Sequence, residues 1–193
     1  SVELCSLTIQ RGDFSVANLI ASGLFGDGAA ALVGVGTNRA RTLGLCGPKV
    51  VANQSRFYPN TERVMGWDIG DTGFQIVLDA SVPDVVNANI RNDAETFLSS
   101  QGLALSDIQT WVAHPGGPKV LTAFEDSLSL PAGALSKTWD SLNQVGNLSS
   151  ASVLFVLRDT LADAEPEPDS YGLMMAMGPG FCSEFVLLQW GRP

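Results

Sequence analysis

The chain closes with YGLMMAMGPGFCSEFVLLQW, Tyr171 to Trp190, in which two apolar segments flank a Gly-Pro-Gly-Phe turn. Tyr171 to Met177 and Cys182 to Trp190 read as two strands. The turn between them has the composition of a hairpin, although Gly-Pro-Gly between apolar strands can also wall a pocket. Ahead of the hairpin the pattern is helical. Pro83 suits a first helical turn, Asp84 follows where the macrodipole favours an acid, and Val86, Ile90, Ala94 and Phe97 fall on one face until Gly102 stops the run. Ile108 to Ala113 is then a short buried strand, followed by helices over Pro118 to Leu128, Leu135 to Val145 and Ser149 to Ala164. AEPEPD, Ala164 to Asp169, reads as a solvent loop. Strand, helix, strand, helices and a hairpin amount to a mixed α/β layer architecture.

The first part of the chain reads as sheet and loop. Residues 2 to 10 look like an interior strand entered with no capping or polar lead-in, as in a piece of a longer protein. GDGAAALVGVG, Gly26 to Gly36, reads as a turn into a small-residue strand, and residues 43 to 53 and 73 to 79 as further strands. Between Arg39 and Asp71 the pattern is weakest, which places a subdomain boundary near residues 37 to 42. No internal repeat or low-complexity tract interrupts this order.

Composition narrows the partners. With 193 residues, 45% hydrophobic and 16% charged, the chain can bury a dense core. Its net charge of −9, with no cluster of more than two basic residues, argues against nucleic acid, whose phosphates require a basic face. Cys5, Cys46 and Cys182 are far apart and one histidine accompanies them, so neither a metal site nor a disulfide framework is expected. A reduced, cytoplasmic setting is the simpler expectation. No apolar run reaches the roughly 18 to 20 residues of a membrane span, and SVELCSLTIQ lacks the features of a secretory signal.

Two stretches offer chemistry. In WVAHPGGP, His114 ends a strand just before a turn forced by proline and two glycines, where α/β folds expose reactive side chains. The alternative is a buried histidine hydrogen-bonded to backbone. In GNLSSAS, either Asn147 or Ser149 caps the apolar helix that follows, or Asn147 donates its amide to an oxyanion or thioester carbonyl. LFGDGAAA has no phosphate-binding pattern and reads as a tight turn into a strand. No G-x-S-x-G elbow is present, so a serine hydrolase lacks its nucleophile. Cys46 and Cys182 read as core residues and Cys5 as a strand residue, and none has the surroundings of an activated thiolate.

Taken in order, LFGDGAAA, VAHPGGPKVL, GNLSSASVLFVL and GPGF with SEFVLL resemble the chalcone and stilbene synthase family, the type III polyketide synthases, over essentially the whole chain. SVELCSLTIQ and GWDIGDTGFQIVL resemble bacterial members more than plant ones. The resemblance implies a thiolase-like α/β fold, two pseudo-equivalent halves in five layers, acting as a homodimer. Residues 1–37 would be terminal strands of the N-terminal half and residues 38–193 the C-terminal domain. It implies a Cys-His-Asn site that condenses an acyl-CoA starter with malonyl-CoA, and it assigns the His and Asn to His114 and Asn147. CoA thioesters are its substrates and no separate cofactor is implied.

The same resemblance assigns Phe25 to the junction of CoA tunnel and cavity. It assigns Cys5, Thr8 and Ile76 to the cavity lining, and Gly178, Pro179 and Gly180 to a loop that shapes it. Lys119 is suggested to meet the pantetheine or phosphates of CoA. No residue here matches the family's nucleophilic cysteine, which lies upstream of the strand that begins the chain. A partner N-terminal half is therefore expected to supply it, the chain alone should be inactive, and the product expected for the bacterial branch is an alkylpyrone or alkylresorcinol. Two alternatives stand beside this: a ketoacyl synthase III-type enzyme performing one extension on a carrier protein, and a structural half that dimerises or docks without turnover.

Overall fold

The computed structural model describes residues 1–163 and 166–191; Ala164 and Glu165 of the expected acidic loop lie outside them. In chain order the elements are β1 (Val2–Glu3), α1 (Val16–Leu24), β2 (Gly28–Ala29), α2 (Thr37–Leu43), β3 (Lys49–Phe57), β4 (Met65–Gly70) and β5 (Gly73–Leu78). They continue with α3 (Val82–Ser100), β6 (Ile108–Ala113), α4 (Pro118–Leu128), α5 (Ser136–Val145), α6 (Ser152–Asp163), β7 (Tyr171–Gly178) and β8 (Cys182–Gln189). Short 3-10 turns occupy Cys5–Thr8, Leu105–Asp107 and Ser149–Ala151.

The central sheet runs β3-β8-β7-β6. β7 and β8 form the expected antiparallel hairpin, in register from Tyr171 opposite Gln189 to Gly178 opposite Cys182. β3 pairs antiparallel with β8, and β6 parallel with β7. A parallel pair cannot be joined by a tight turn, and α4, α5 and α6 supply the crossover.

Both faces of the sheet are covered over β7 and β8, which are largely apolar, whereas the edge strand β3 is mostly exposed and polar. On one face Leu173, Met175, Phe185 and Leu187 pack with Ile90 and Phe97 of α3 and Phe124 of α4. On the other, Val112 and Leu188 meet Val153, Val156 and Leu157 of α6. The strand period of two sorts these residues, sending Leu187 to one face and Leu188 to the other. Each fully buried large side chain contributes about 1.5–3 kcal/mol, so the core is anchored by residues such as Phe97, Phe124 and Phe185.

The long helix forms as its pattern predicts. Val86, Ile90, Ala94 and Phe97 are buried on one face of α3. Pro83 and Asp84 lie in the first turn, and beyond the last turn Gly102 at φ 74 lets Leu103 N–H bond back to Leu98 O at 3.0 Å.

The strand expected over 73 to 79 forms as β5, but the rest of the first 80 residues departs from its expected strands. Residues 2 to 10 are not one strand, because only Val2 and Glu3 pair, with Ala29 and Gly28. Polar groups then draw the chain into the Cys5–Thr8 turn: Ser6 N–H and Ser6 Oγ both donate to the Asp27 carboxylate at 2.7 Å, and Thr8 Oγ1 donates to Cys5 O at 2.9 Å. Cys5 is thus a turn residue. The strand expected over 26 to 36 shrinks to the two residues of β2 that find a partner. The strand expected over 43 to 53 starts later, at Lys49, since the expected boundary near 37 to 42 is helix α2, closed by Gly44 at φ 62.

Besides α2, helix α1 and strand β4 were not expected from the sequence. Helix α1 sets Val16, Leu19, Ile20 and Leu24 at helical spacing along one face, and the first three are exposed. Strand β4 is diluted by Gly66, Asp68 and Gly70, yet pairs with β5 throughout, Trp67 opposite Ile76. Cys46 is exposed and not a core residue, because it lies in the irregular segment between α2 and β3 beside the half-exposed Leu45. Cys182 is only half-buried, at the start of β8.

Candidate active site

Strand β6 delivers His114. Its backbone extends the ladder by one bond, N–H to Met175 O at 2.8 Å, and its carbonyl at once accepts the Gly116 N–H at 2.8 Å. Gly117, at φ 146, then releases the chain into α4. The imidazole is partly buried. Among the described residues no charge or hydrogen bond offsets its desolvation, which pushes the pKa down to about 4 and leaves the ring neutral at pH 7. A neutral imidazole carries one N–H donor and one lone pair.

Asn147 is buried and clamped on all sides. Its N–H donates to Leu24 O at 2.8 Å and its carbonyl accepts the Gly26 N–H at 2.9 Å, a parallel bridge that sets it beside Phe25. The neighbouring Leu148 N–H is held by the buried Ser152 Oγ at 2.6 Å. In the side chain, Oδ1 accepts the Ser149 N–H at 2.9 Å, a local turn to the residue two along, while the N-cap position of the following 3-10 turn is Leu148. That bond fixes the orientation of the amide: Nδ2 faces Gly116 O, at a long 3.4 Å, two residues beyond His114. Two segments separated by more than 30 residues in the chain are thereby joined. The turn of LFGDG fits against them closely. A Cβ on Gly28 would lie 2.8 Å from the Leu148 side chain, so this approach needs glycine.

Beside this junction is a cavity of about 430 Å³, with Cys5, Thr8, Phe25 and Ile76 in its lining. These four come from three separate segments of the chain. Trp67 and Ser149 also line it. Trp67 was not anticipated, although its place opposite Ile76 follows once β4 and β5 are paired; the two residues share a sheet face. His114, Asn147, Lys119 and Gly178 to Gly180 are not in the lining. Lys119 is exposed in the first turn of α4, and Gly178 to Gly180 form the β7-β8 turn.

The half-buried thiols are poor nucleophiles. Burial first, and then the Glu3 and Asp27 carboxylates, push the Cys5 thiol pKa up. Burial and then Glu184 do the same for Cys182. Among the described residues no group of three His, Cys, Asp or Glu could hold a metal ion, and no helix is long and apolar enough to cross a membrane. The two donors are therefore the chemistry that the junction offers: a neutral imidazole and an oriented amide, suited to stabilising negative charge on an oxygen.

Residues 49–190 match the family described as chalcone and stilbene synthases, C-terminal domain. The chain is 55% identical over 190 residues to the 1,3,6,8-tetrahydroxynaphthalene synthase of Streptomyces peucetius subsp. caesius, covering 98% of this chain and 50% of that protein. It is 39% identical to a putative chalcone synthase of Bacillus subtilis, covering 100% of this chain and 53% of the relative. The crystal structure of 1,3,6,8-tetrahydroxynaphthalene synthase from Streptomyces coelicolor A3(2), a bacterial type III polyketide synthase, superposes with a TM-score of 0.89 at 31% identity, over 100% of this chain and 53% of that one. The architecture is that of the thiolase-like fold of these enzymes. The chain spans about half the length of the relatives it matches.

Proposed function

This chain belongs to the chalcone and stilbene synthase family, and from that premise we propose that it supplies the histidine and asparagine of a type III polyketide synthase. The observation that carries the proposal is the clamp that orients the Asn147 amide toward the His114 loop. In malonyl-CoA decarboxylation the bond to the carboxylate breaks, CO₂ leaves, and the electron pair moves onto the thioester oxygen as an enolate. His114 N–H and Asn147 Nδ2–H are the donors for that oxygen, and a neutral imidazole suits the role. The enolate carbon then attacks an acyl group carried by cysteine, forming the new carbon–carbon bond and expelling the thiolate.

The cysteine is assigned to an N-terminal half, without which this chain turns over nothing. The apolar surface of residues 2 to 35 supports such a neighbour, since Val2, Leu7, Phe14 and Val33 are each more than 70% exposed. The complete enzyme is proposed to act as a homodimer on acyl-CoA and malonyl-CoA, in the cytoplasm. Phe25 stands at the entrance from the CoA tunnel. Cys5, Thr8 and Ile76 tune cavity size, the loop of Gly178, Pro179 and Gly180 shapes the cavity from outside its lining, and Lys119 meets the CoA.

The 55% identical relative, a 1,3,6,8-tetrahydroxynaphthalene synthase, favours a tetrahydroxynaphthalene, which bears no alkyl chain, as the product. An alkylpyrone or alkylresorcinol, the expectation from the bacterial resemblance, would need a fatty acyl starter. Incubating the complete enzyme with malonyl-CoA, with and without long-chain acyl-CoA, tests this. A naphthalene, having no alkyl chain, is expected to form without the long-chain acyl-CoA. A single extension with strict dependence on a carrier protein would overturn the assignment in favour of a ketoacyl synthase III-type reaction. No decarboxylation by the complete enzyme would leave a structural half.

A further inference from the structure

The turn that joins β7 to β8 is held from outside its own hairpin. Phe181, whose side chain is fully buried, donates its N–H to Thr61 Oγ1 at 2.8 Å, and its carbonyl accepts the Tyr58 N–H at 3.0 Å. Thr61 Oγ1 in turn donates to Tyr58 O at 2.5 Å, so a single hydroxyl satisfies the turn on one side and the end of β3 on the other. Tyr58 is fixed as well. Its hydroxyl donates to Asp93 Oδ2 at 2.7 Å and lies 2.9 Å from Ser183 Oγ, while Arg56 Nε meets Asp93 Oδ1 at 3.2 Å. Asp93 and Ser183 are buried, and a satisfied buried network of this kind resists rearrangement.

The same segment leads to the cavity. Val64 N–H bonds to Thr61 O at 2.9 Å, and Gly180 N–H reaches Met65 O at 3.3 Å. Met65 begins β4, and Trp67, two residues along that strand, lines the cavity opposite Ile76. The turn therefore cannot shift without breaking the Phe181–Thr61 bond or carrying β4 with it.

We propose that Thr61 is a positioning residue that sets product size: its hydroxyl latches the Gly178–Phe181 turn to the segment carrying Trp67 and thereby holds one wall of the cavity. The proposal rests on the polyketide synthase reading above for its consequence in product size, and on hydrogen bonds alone for the latch. Thr61→Val keeps the side-chain shape but leaves the Phe181 N–H without its acceptor, whereas Thr61→Ser retains the hydroxyl.

In the complete enzyme, Thr61→Val is expected to accelerate amide exchange at Phe181 about tenfold, as loss of a buried hydrogen bond requires. The chain-length distribution of products should shift, while CO₂ release from malonyl-CoA, which His114 and Asn147 govern, stays at the parent level. Thr61→Ser should restore both exchange and product distribution. Tyr58→Phe, which removes only the hydroxyl from Asp93 and Ser183, should move both readouts in the same direction as Thr61→Val. Parent-like exchange or parent-like products in Thr61→Val overturns the proposal, as does failure of Thr61→Ser to rescue. If the parent enzyme released no CO₂, the function itself would fall, and the Phe181 exchange rate would still decide whether the latch exists.

Discussion

Gly146→Ala strikes the junction where Asn147 is held. Gly146 ends α5 at φ 71 and ψ −154, a conformation that is essentially glycine's alone. A Cβ there would stand 2.6 Å from Leu24 O, which is backbone and cannot rotate away, and which accepts the Asn147 N–H at 2.8 Å. The backbone conformation costs an alanine about 1–3 kcal/mol, and weakening the Asn147–Leu24 bond adds about 1 kcal/mol. The substitution is therefore expected to destabilise the fold by about 2–4 kcal/mol. It should also displace Asn147, so that kcat per folded molecule falls further than stability alone explains. Urea titration, with the midpoint shifted and the slope unchanged, measures the first effect. Turnover under conditions where the variant remains folded measures the second. A destabilisation below about 0.5 kcal/mol, the level of an ordinary surface substitution, would refute the steric argument.

Two further outcomes follow from buried polar groups. The folded-state pKa of His114, about 4, lies below its ordinary 6.5, so the unfolded chain takes up the proton first as pH falls. Stability is untouched above pH 6.5 and declines between 6.5 and 4, by at most about 3 kcal/mol, the ring's partial exposure reducing the figure. Urea titrations of parent and His114→Gln across that range check it; identical pH dependence in both would sink the assignment. Asp93→Ala removes the acceptor shared by Tyr58 and Arg56 in a buried site and is expected to cost about 2–3 kcal/mol, read as a lowered Tm. An unchanged Tm would contradict the load placed on that carboxylate.

The elements from residue 82 onward were legible because packing there obeys local periodicity. The face of α3 that carries Val86, Ile90 and Phe97 is the face that meets the sheet, and Pro118 and Gly102 sit where helix entry and exit need them. The first 80 residues resisted because contacts distant in sequence decide their shape. The Cys5–Thr8 turn exists through the bonds of Ser6 to Asp27, and α1 is only nine residues long with its apolar stripe of Val16, Leu19 and Ile20 left exposed. His114 and Asn147 were found through motif and order, and their joining through Gly116 is a tertiary fact that no local pattern encodes. Trp67 escaped notice because its own strand, β4, is diluted by glycine and acid and becomes recognisable only when paired with β5.

The most direct test of the account is CO₂ release from carboxyl-labelled malonyl-CoA by the complete enzyme and its His114→Ala and Asn147→Ala variants. If both side chains hold the enolate oxygen, each single variant should lose about 100- to 1,000-fold in decarboxylation. Removing both should cost less than the product of the two losses, since they act as one unit. Undiminished CO₂ release by either folded single variant would contradict the claim that His114 and Asn147 form the decarboxylation site.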